Sequence, residues 1–191
     1  MTDYKSFKDP IYGYIEIDNH IISTIIDTPE FQRLRNIIQT SYSPLYSSAV
    51  HNRFVHSLGV YHLGKFLSSN IQKKSPESLL EVMTGEEIAR YFEVFELACL
   101  LHDVGHAPFS HTGEEFYLKD GDRKELHKEI IKLTNDQDLK KEISEKAGVY
   151  KAAAHELMSV IVGLNVYTAL FRTDEEKSFF SRCITGYSWF F

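Results

Sequence analysis

The stretch Leu100-Leu101-His102-Asp103-Val104-Gly105-His106 constrains this chain more than any other. Phe92, Phe95, Leu97, Ala98, Leu100 and Leu101 lead into it at helical spacing, so a core-facing helix should end at an adjacent imidazole and carboxylate. Gly105 and Pro108 end or bend that helix. A helix end beside a loop holds polar groups rigidly and leaves room for a ligand. His102 and Asp103 can share one divalent cation if a third ligand comes from another helix. His56, in His51-Asn52-Arg53-Phe54-Val55-His56-Ser57, is the candidate. Imidazole and carboxylate together suit Mn, Mg, Fe, Zn or Ni to different degrees and do not choose the metal. A lone His-Asp pair is more often a buried polar pair at a helix end. Its neighbouring motifs reverse that balance here.

At 191 residues, 43% hydrophobic and 13% aromatic, the chain is large enough for one domain with a real core. A net charge of −6 argues against nucleic acid as the main partner but allows a local basic pocket for a phosphorylated small molecule. Two cysteines, Cys99 and Cys183, make no disulfide framework, and a reduced, cytoplasmic setting is the simplest reading. The N-terminus lacks the apolar core of a signal peptide, and no run is long enough to span a membrane.

Residues 10–18 alternate apolar with polar or small side chains, which predicts a short β hairpin or extended arm. Thr28-Pro29-Glu30 opens a helix carrying Phe31, Leu34, Ile37 and Ile38. Residues 41–50 read as a loop. A second helix runs from about Asn52 to Ile71, with Val55, Leu58, Val60, Leu63 and Phe66 as its apolar stripe. Thr84-Gly85-Glu86-Glu87 caps a third. Residues 117–150 are charged and predict one or two amphipathic, mostly solvent-facing helices. The apolar segment 151–170 rejoins the core, and 174–185 form a last helix closed by Gly186. The aromatic end Tyr187-Ser188-Trp189-Phe190-Phe191 reads as a buried or partner-covered tail, or a chain cut short.

Arg53 precedes His56 by three residues and shares its helical face, where it could hold a phosphate with two parallel hydrogen bonds or form a surface salt bridge. His51 and Asn52 either line the pocket or cap the helix. His106 and His111, in His106-Ala107-Pro108-Phe109-Ser110-His111, are each a candidate proton donor or a hydrogen-bonded structural histidine. Glu114 follows His111 at helical spacing and could orient it. His155 opens an apolar helix; Ser159 excludes a zinc-protease HExxH there. His20, His62 and His127 fall to surface or packing, and Tyr42 or Tyr46 could stack on a base.

These motifs, taken in order, are specific. Asp9-Pro10-Ile11-Tyr12-Gly13-Tyr14-Ile15, Phe31-Gln32-Arg33-Leu34-Arg35, His51 to Val60 and Leu100 to His111 resemble the HD-domain phosphohydrolases, in particular the deoxynucleoside triphosphate triphosphohydrolase (dGTPase-like) branch. The resemblance implies an all-α HD-domain fold with a small N-terminal β hairpin. It implies hydrolysis of deoxynucleoside triphosphates to deoxynucleoside and tripolyphosphate, with a divalent metal ion as cofactor. By the same resemblance His56, His102 and Asp103 match the metal ligands. Arg53 matches a phosphate contact and Gln39 a contact to the sugar 3′-hydroxyl, with Asn52 beside them as a substrate-binding candidate. His111 and His155 look like the catalytic and phosphate-contacting histidines, with Glu114 where an acidic partner is usual; His106, one turn from His102, joins them as a catalytic candidate on its own spacing, and family members are commonly homo-oligomers.

Two departures accompany the resemblance. The family's later DxDxxDYxxRD-like segment, which supplies a further metal-binding Asp, has no counterpart here, so residues 1–191 read as a single HD domain that is C-terminally short. The charged stretch 117–150 is longer than expected between His111 and His155 and reads as a helical insertion. The alternative functions are therefore a catalytically impaired nucleotide-binding or regulatory HD module, or another HD phosphohydrolase such as a nucleotidase.

Overall fold

The structure, a computed structural model, describes residues 3–40, 45–74, 80–118, 123–145 and 152–188. Tyr42 and the aromatic residues 189–191 lie outside them. Strands β1 (Tyr4–Asp9) and β2 (Gly13–Asp18) form an antiparallel hairpin in which Tyr4 pairs with Asp18 and Asp9 with Gly13. The Asp9 carboxylate accepts the amides of Ile11 and Tyr12 at 2.7 and 2.9 Å, which closes the turn. Alternation in β2 sends Ile15 and Ile17 into the core. Among the described residues all other regular structure is helical, so the fold class is all-α with an N-terminal hairpin.

After a short turn α1 (Asn19–Ile21), which continues as a π-helical turn over Ile22–Ile26, Thr28 caps α2 (Pro29–Gln32). This helix is shorter than its apolar spacing predicts. It tightens to a 3₁₀ turn at Arg33–Asn36, the backbone extends at Ile37, and Ile38 makes an antiparallel bridge to Asn52. Phe31, Leu34 and Ile37 are buried, but Ile38 faces outward.

Helix α3 (Arg53–Lys74) packs on α4 (Gly85–Leu101), whose N-terminus carries the expected Thr84–Glu87 capping box. The buried face of α3 coincides with the predicted stripe only at Leu58 and, half-buried, at Val60. Phe54, Ser57, Leu58, Tyr61 and Ser68 are buried, while Val55, Leu63 and Phe66 are exposed. Small residues let the two helices approach closely. A Cβ added at Gly64 would lie 2.8 Å from Cys99 Sγ. Apolar content alone therefore locates the buried side of this helix only in part.

The charged stretch folds as α5 (Lys124–Thr134) and α6 (Gln137–Glu145). Leu126, Ile130 and Leu139 sink into the common core, and α5 packs on α7 (Ala154–Val166). Helix α8 (Asp174–Thr185), capped by Thr173 and ended by the left-handed Gly186, packs against α4, α5 and α7. No helix among the described residues is long and apolar enough to cross a membrane.

Candidate active site

Helix α4 ends as expected, and His102 is its C-cap. Three consequences follow from that placement. His102 Nδ1 lies 2.9 Å from the carbonyl oxygen of Cys99, one turn back. That oxygen can only accept, so Nδ1 carries the proton and Nε2 of the neutral ring bears the lone pair. The Nε2 atom faces Nε2 of His56, on the first turn of α3, at 3.1 Å. Asp103 completes the group, with carboxylate oxygens 3.6 Å from His102 Nε2 and 3.8 Å from His56 Nε2. Two imidazole nitrogens bound side by side to one ion at about 2.1 Å lie about 3 Å apart, so this donor set fits a divalent metal. Burial, with His102 and Arg53 nearby, lowers the His56 pKa and keeps its ring a neutral donor.

Asp103 is buried and also ion-paired. Arg53 Nη1 donates to its Oδ2 at 2.7 Å, while Arg53 Nη2 donates to Ser110 Oγ at 2.7 Å. Burial alone would raise the Asp103 carboxyl, but His106, His102 and Arg53 outweigh it and hold it well below the usual carboxylate range. Arg53 is 2% exposed. Its fork is thus engaged within the protein, between Asp103 and Ser110.

A second cluster, His106, His111, Glu114 and His155, lies beside the first. His111 Nδ1 and His155 Nδ1 both donate to Glu114 Oε1, at 2.7 and 2.8 Å. One carboxylate oxygen therefore sets the tautomer of two rings and leaves both Nε2 atoms facing outward from it. Burial would raise Glu114, but these two imidazoles outweigh it and keep it ionised. His155 is lowered by burial and by its neighbour His106. The rings of His106 and His155 stack at 4.0 Å, 18° from parallel. The lone pairs of these two parallel rings do not converge on one point, although the ligand atoms of all four residues lie within 4.8 Å of one another.

The two clusters meet at the turn 102–106. His106 Nε2 lies 3.4 Å from Asp103 Oδ1. Arg33 Nη1 and Nη2 donate to the carbonyls of His106 and Val104, at 2.7 and 2.5 Å, and the Gly105 amide donates to Ser159 Oγ at 2.9 Å. Sequence reasoning missed Arg33 and Ser159. Arg33 stood inside a recognised motif without a role, and Ser159 served only to exclude a protease motif.

A cleft of about 480 Å³ opens beside His111, lined also by Asn36, Gln39, Phe109, Ser110 and Thr112. Gln39 Oε1 is buried there without a hydrogen-bond partner among the described residues. Ser110 holds a left-handed backbone (φ 52°) and joins the cleft to Arg53. Asn52 takes the capping alternative: its Oδ1 accepts the Val55 amide at 3.1 Å. Tyr46 is exposed and does not line this cleft.

The HD domain family matches residues 53–161, more than half of the chain. This chain belongs to the HD-domain phosphohydrolase family. It is 38% identical over 121 residues to YwfO of Bacillus subtilis, an uncharacterised protein (63% of this chain, 26% of that one). It is 43% identical over 108 residues to the deoxynucleoside triphosphate triphosphohydrolase SAMHD1 of Gallus gallus (56% of this chain, 16% of that one). To the SAMHD1 homolog of Dictyostelium discoideum it is 39% identical over 144 residues (70% and 26%). A solved phosphohydrolase from Bacteroides thetaiotaomicron superposes with a TM-score of 0.57 at 25% identity, covering 94% of this chain and 34% of that one. The HD chain thus spans about a quarter or less of the length of these curated relatives.

Proposed function

We propose that this HD domain hydrolyses deoxynucleoside triphosphates to deoxynucleoside and tripolyphosphate, using a divalent metal held by His56, His102 and Asp103. The observation that carries the reading is the shared turn. One five-residue segment delivers Asp103 to a metal-fitting donor set and His106 to a second, histidine–carboxylate set, beside a cleft of nucleoside size. The similarity to SAMHD1 proteins supports the substrate class.

Bound there, the metal would supply Lewis acidity toward a phosphoryl oxygen and acidify a water. The chain's own residues do the rest. Arg53 places a fixed positive charge between the clusters, which favours a polyanion at that point. Direct contact with a phosphate would exchange Ser110 as its partner. His111 is the most exposed member of its cluster and is oriented by Glu114, so its Nε2 can protonate the departing 5′ oxygen. The carboxylate stabilises the imidazolium that delivers this proton. His155, on the same oxygen, supports Glu114 and lies next to the phosphate path, while fully buried His106 braces Asp103. Gln39 offers its free carbonyl to a sugar hydroxyl.

The test is a chromatographic assay with each deoxynucleoside triphosphate and added Mn²⁺. Paired release of nucleoside and tripolyphosphate is expected. Release of mono- or diphosphates would identify a different phosphohydrolase. Stoichiometric metal with nucleotide bound and no turnover would identify a binding module.

A further inference from the structure

We infer that Arg33 and Ser159 are positioning residues: they clamp the turn 102–106 from opposite sides and so set the distance between the two histidine clusters. This rests on the metal-binding reading of His56, His102 and Asp103.

The turn lies beyond the end of α4: the amides of Val104 and His106 bond back to the carbonyls of Leu101 and Asp103, whereas the Gly105 amide and the carbonyls of Val104 and His106 are met by side chains, and Val104, Gly105 and His106 are all buried. Buried backbone groups require partners. Arg33 supplies two of them at once. Its planar fork bridges the carbonyls of Val104 and His106, two residues apart. A single ammonium head lacks the two fixed, parallel donors of that fork. On the other side the Ser159 hydroxyl accepts the Gly105 amide. A Cβ at Gly105 would lie 2.2 Å from the Ser159 nitrogen, so the turn rests directly on the backbone of α7.

The consequence is geometric. Ser159 is one helical turn beyond His155, so the bond that seats Gly105 also fixes His106 against the ring it stacks on. Arg33 grips Val104, the residue after Asp103, and begins the 3₁₀ turn that leads to Gln39 and the cleft. Neither side chain belongs to either cluster. Both act on the backbone that carries one member of each.

The experiment titrates Co²⁺ into the wild-type chain, R33K and S159A, recording ligand-field absorption, with circular dichroism and urea midpoints alongside. In each variant we expect Co²⁺ affinity to fall by about 10- to 100-fold with shifted ligand-field bands, the range seen when groups supporting metal ligands are removed. Unchanged affinity and bands in both variants, with only the urea midpoint lowered, would make the clamp purely structural and overturn the inference. If R33K does not fold, S159A decides alone. If the wild type gives no Co²⁺ bands, the metal reading fails by itself. The imidazole NMR resonances of His106 and His155 then decide the clamp: a shift in S159A supports it, and unmoved resonances overturn it.

Discussion

Asp103 answers to three demands at once. It faces two histidine nitrogens, pairs with Arg53 and neighbours His106, all within a buried site. Asp103→Ala should therefore abolish bound metal and also leave the Arg53 charge buried and unpaired. Removing one partner of a buried pair costs roughly 3–5 kcal/mol. The double variant Arg53→Ala with Asp103→Ala should recover part of that loss, which a urea double-mutant cycle measures. Additive losses would show that the pair contributes no coupling. Glu114 poses the complementary question. Its Oε1 accepts two N–H bonds, and an amide at that position has one acceptor but no charge to stabilise an imidazolium. Glu114→Gln should lower turnover by about 10²- to 10⁴-fold with metal stoichiometry unchanged. Turnover within about twofold of wild type would remove Glu114 and His111 from proton transfer.

Helix α3 shows what can and cannot be read from a sequence. Its start, the N-caps of α2 and α4 and the stop of α8 were legible, because Thr28, Thr84 and Gly186 act on backbone groups within a few residues. Its buried face was legible only in part, at Leu58. The apolar stripe at Val55, Leu63 and Phe66 lies outside, and the face that packs on α4 is made partly of serines and a glycine. Close approach, not apolar area, decides that interface. Gly64→Ala should accordingly destabilise the chain by about 1–3 kcal/mol through overpacking against Cys99, despite the better helix propensity of alanine. Phe66→Ser should shift stability by no more than about 0.5 kcal/mol, as surface substitutions do. Urea midpoints of the two variants check the pair; the reverse order would restore the predicted stripe as the core face. The same limit applies to Arg33 and Ser159, whose partners are more than fifty residues away in sequence.

At the scale of the whole molecule, α8 is the tie between regions that the sequence presents as separate. Glu176 accepts from Arg90 of α4, at 2.8 and 2.7 Å, and from the Arg172 amide at 2.7 Å. Asp136, at the start of α6, accepts from Arg182 at 2.9 and 2.8 Å and from the Leu139 amide at 2.7 Å, with Ser178 as a further partner. The charged stretch is thus anchored to the core not only by Leu126, Ile130 and Leu139 but also by the buried Asp136–Arg182 pair, with Glu142 3.4 Å from the same guanidinium, which no composition argument reveals. Burial would raise both carboxyls, but the hydrogen bonds and arginine charges outweigh it and hold both below their ordinary range. Each group therefore binds its proton more weakly in the folded state than in the unfolded one, and folding is favoured where both are ionised. Their contribution is fully present above the ordinary carboxyl pKa of about 4 and is lost as pH falls below it, through the lower folded values. Urea midpoints should hold steady from neutral pH to about pH 5 on account of these groups and then fall steeply toward about pH 3. Glu176→Gln should start from a lower midpoint at neutral pH and lose less of it over the same acid range, because the titrating group is gone. If the variant kept the wild-type slope between about pH 5 and about pH 3, Glu176 would not be one of the groups linking proton uptake to unfolding.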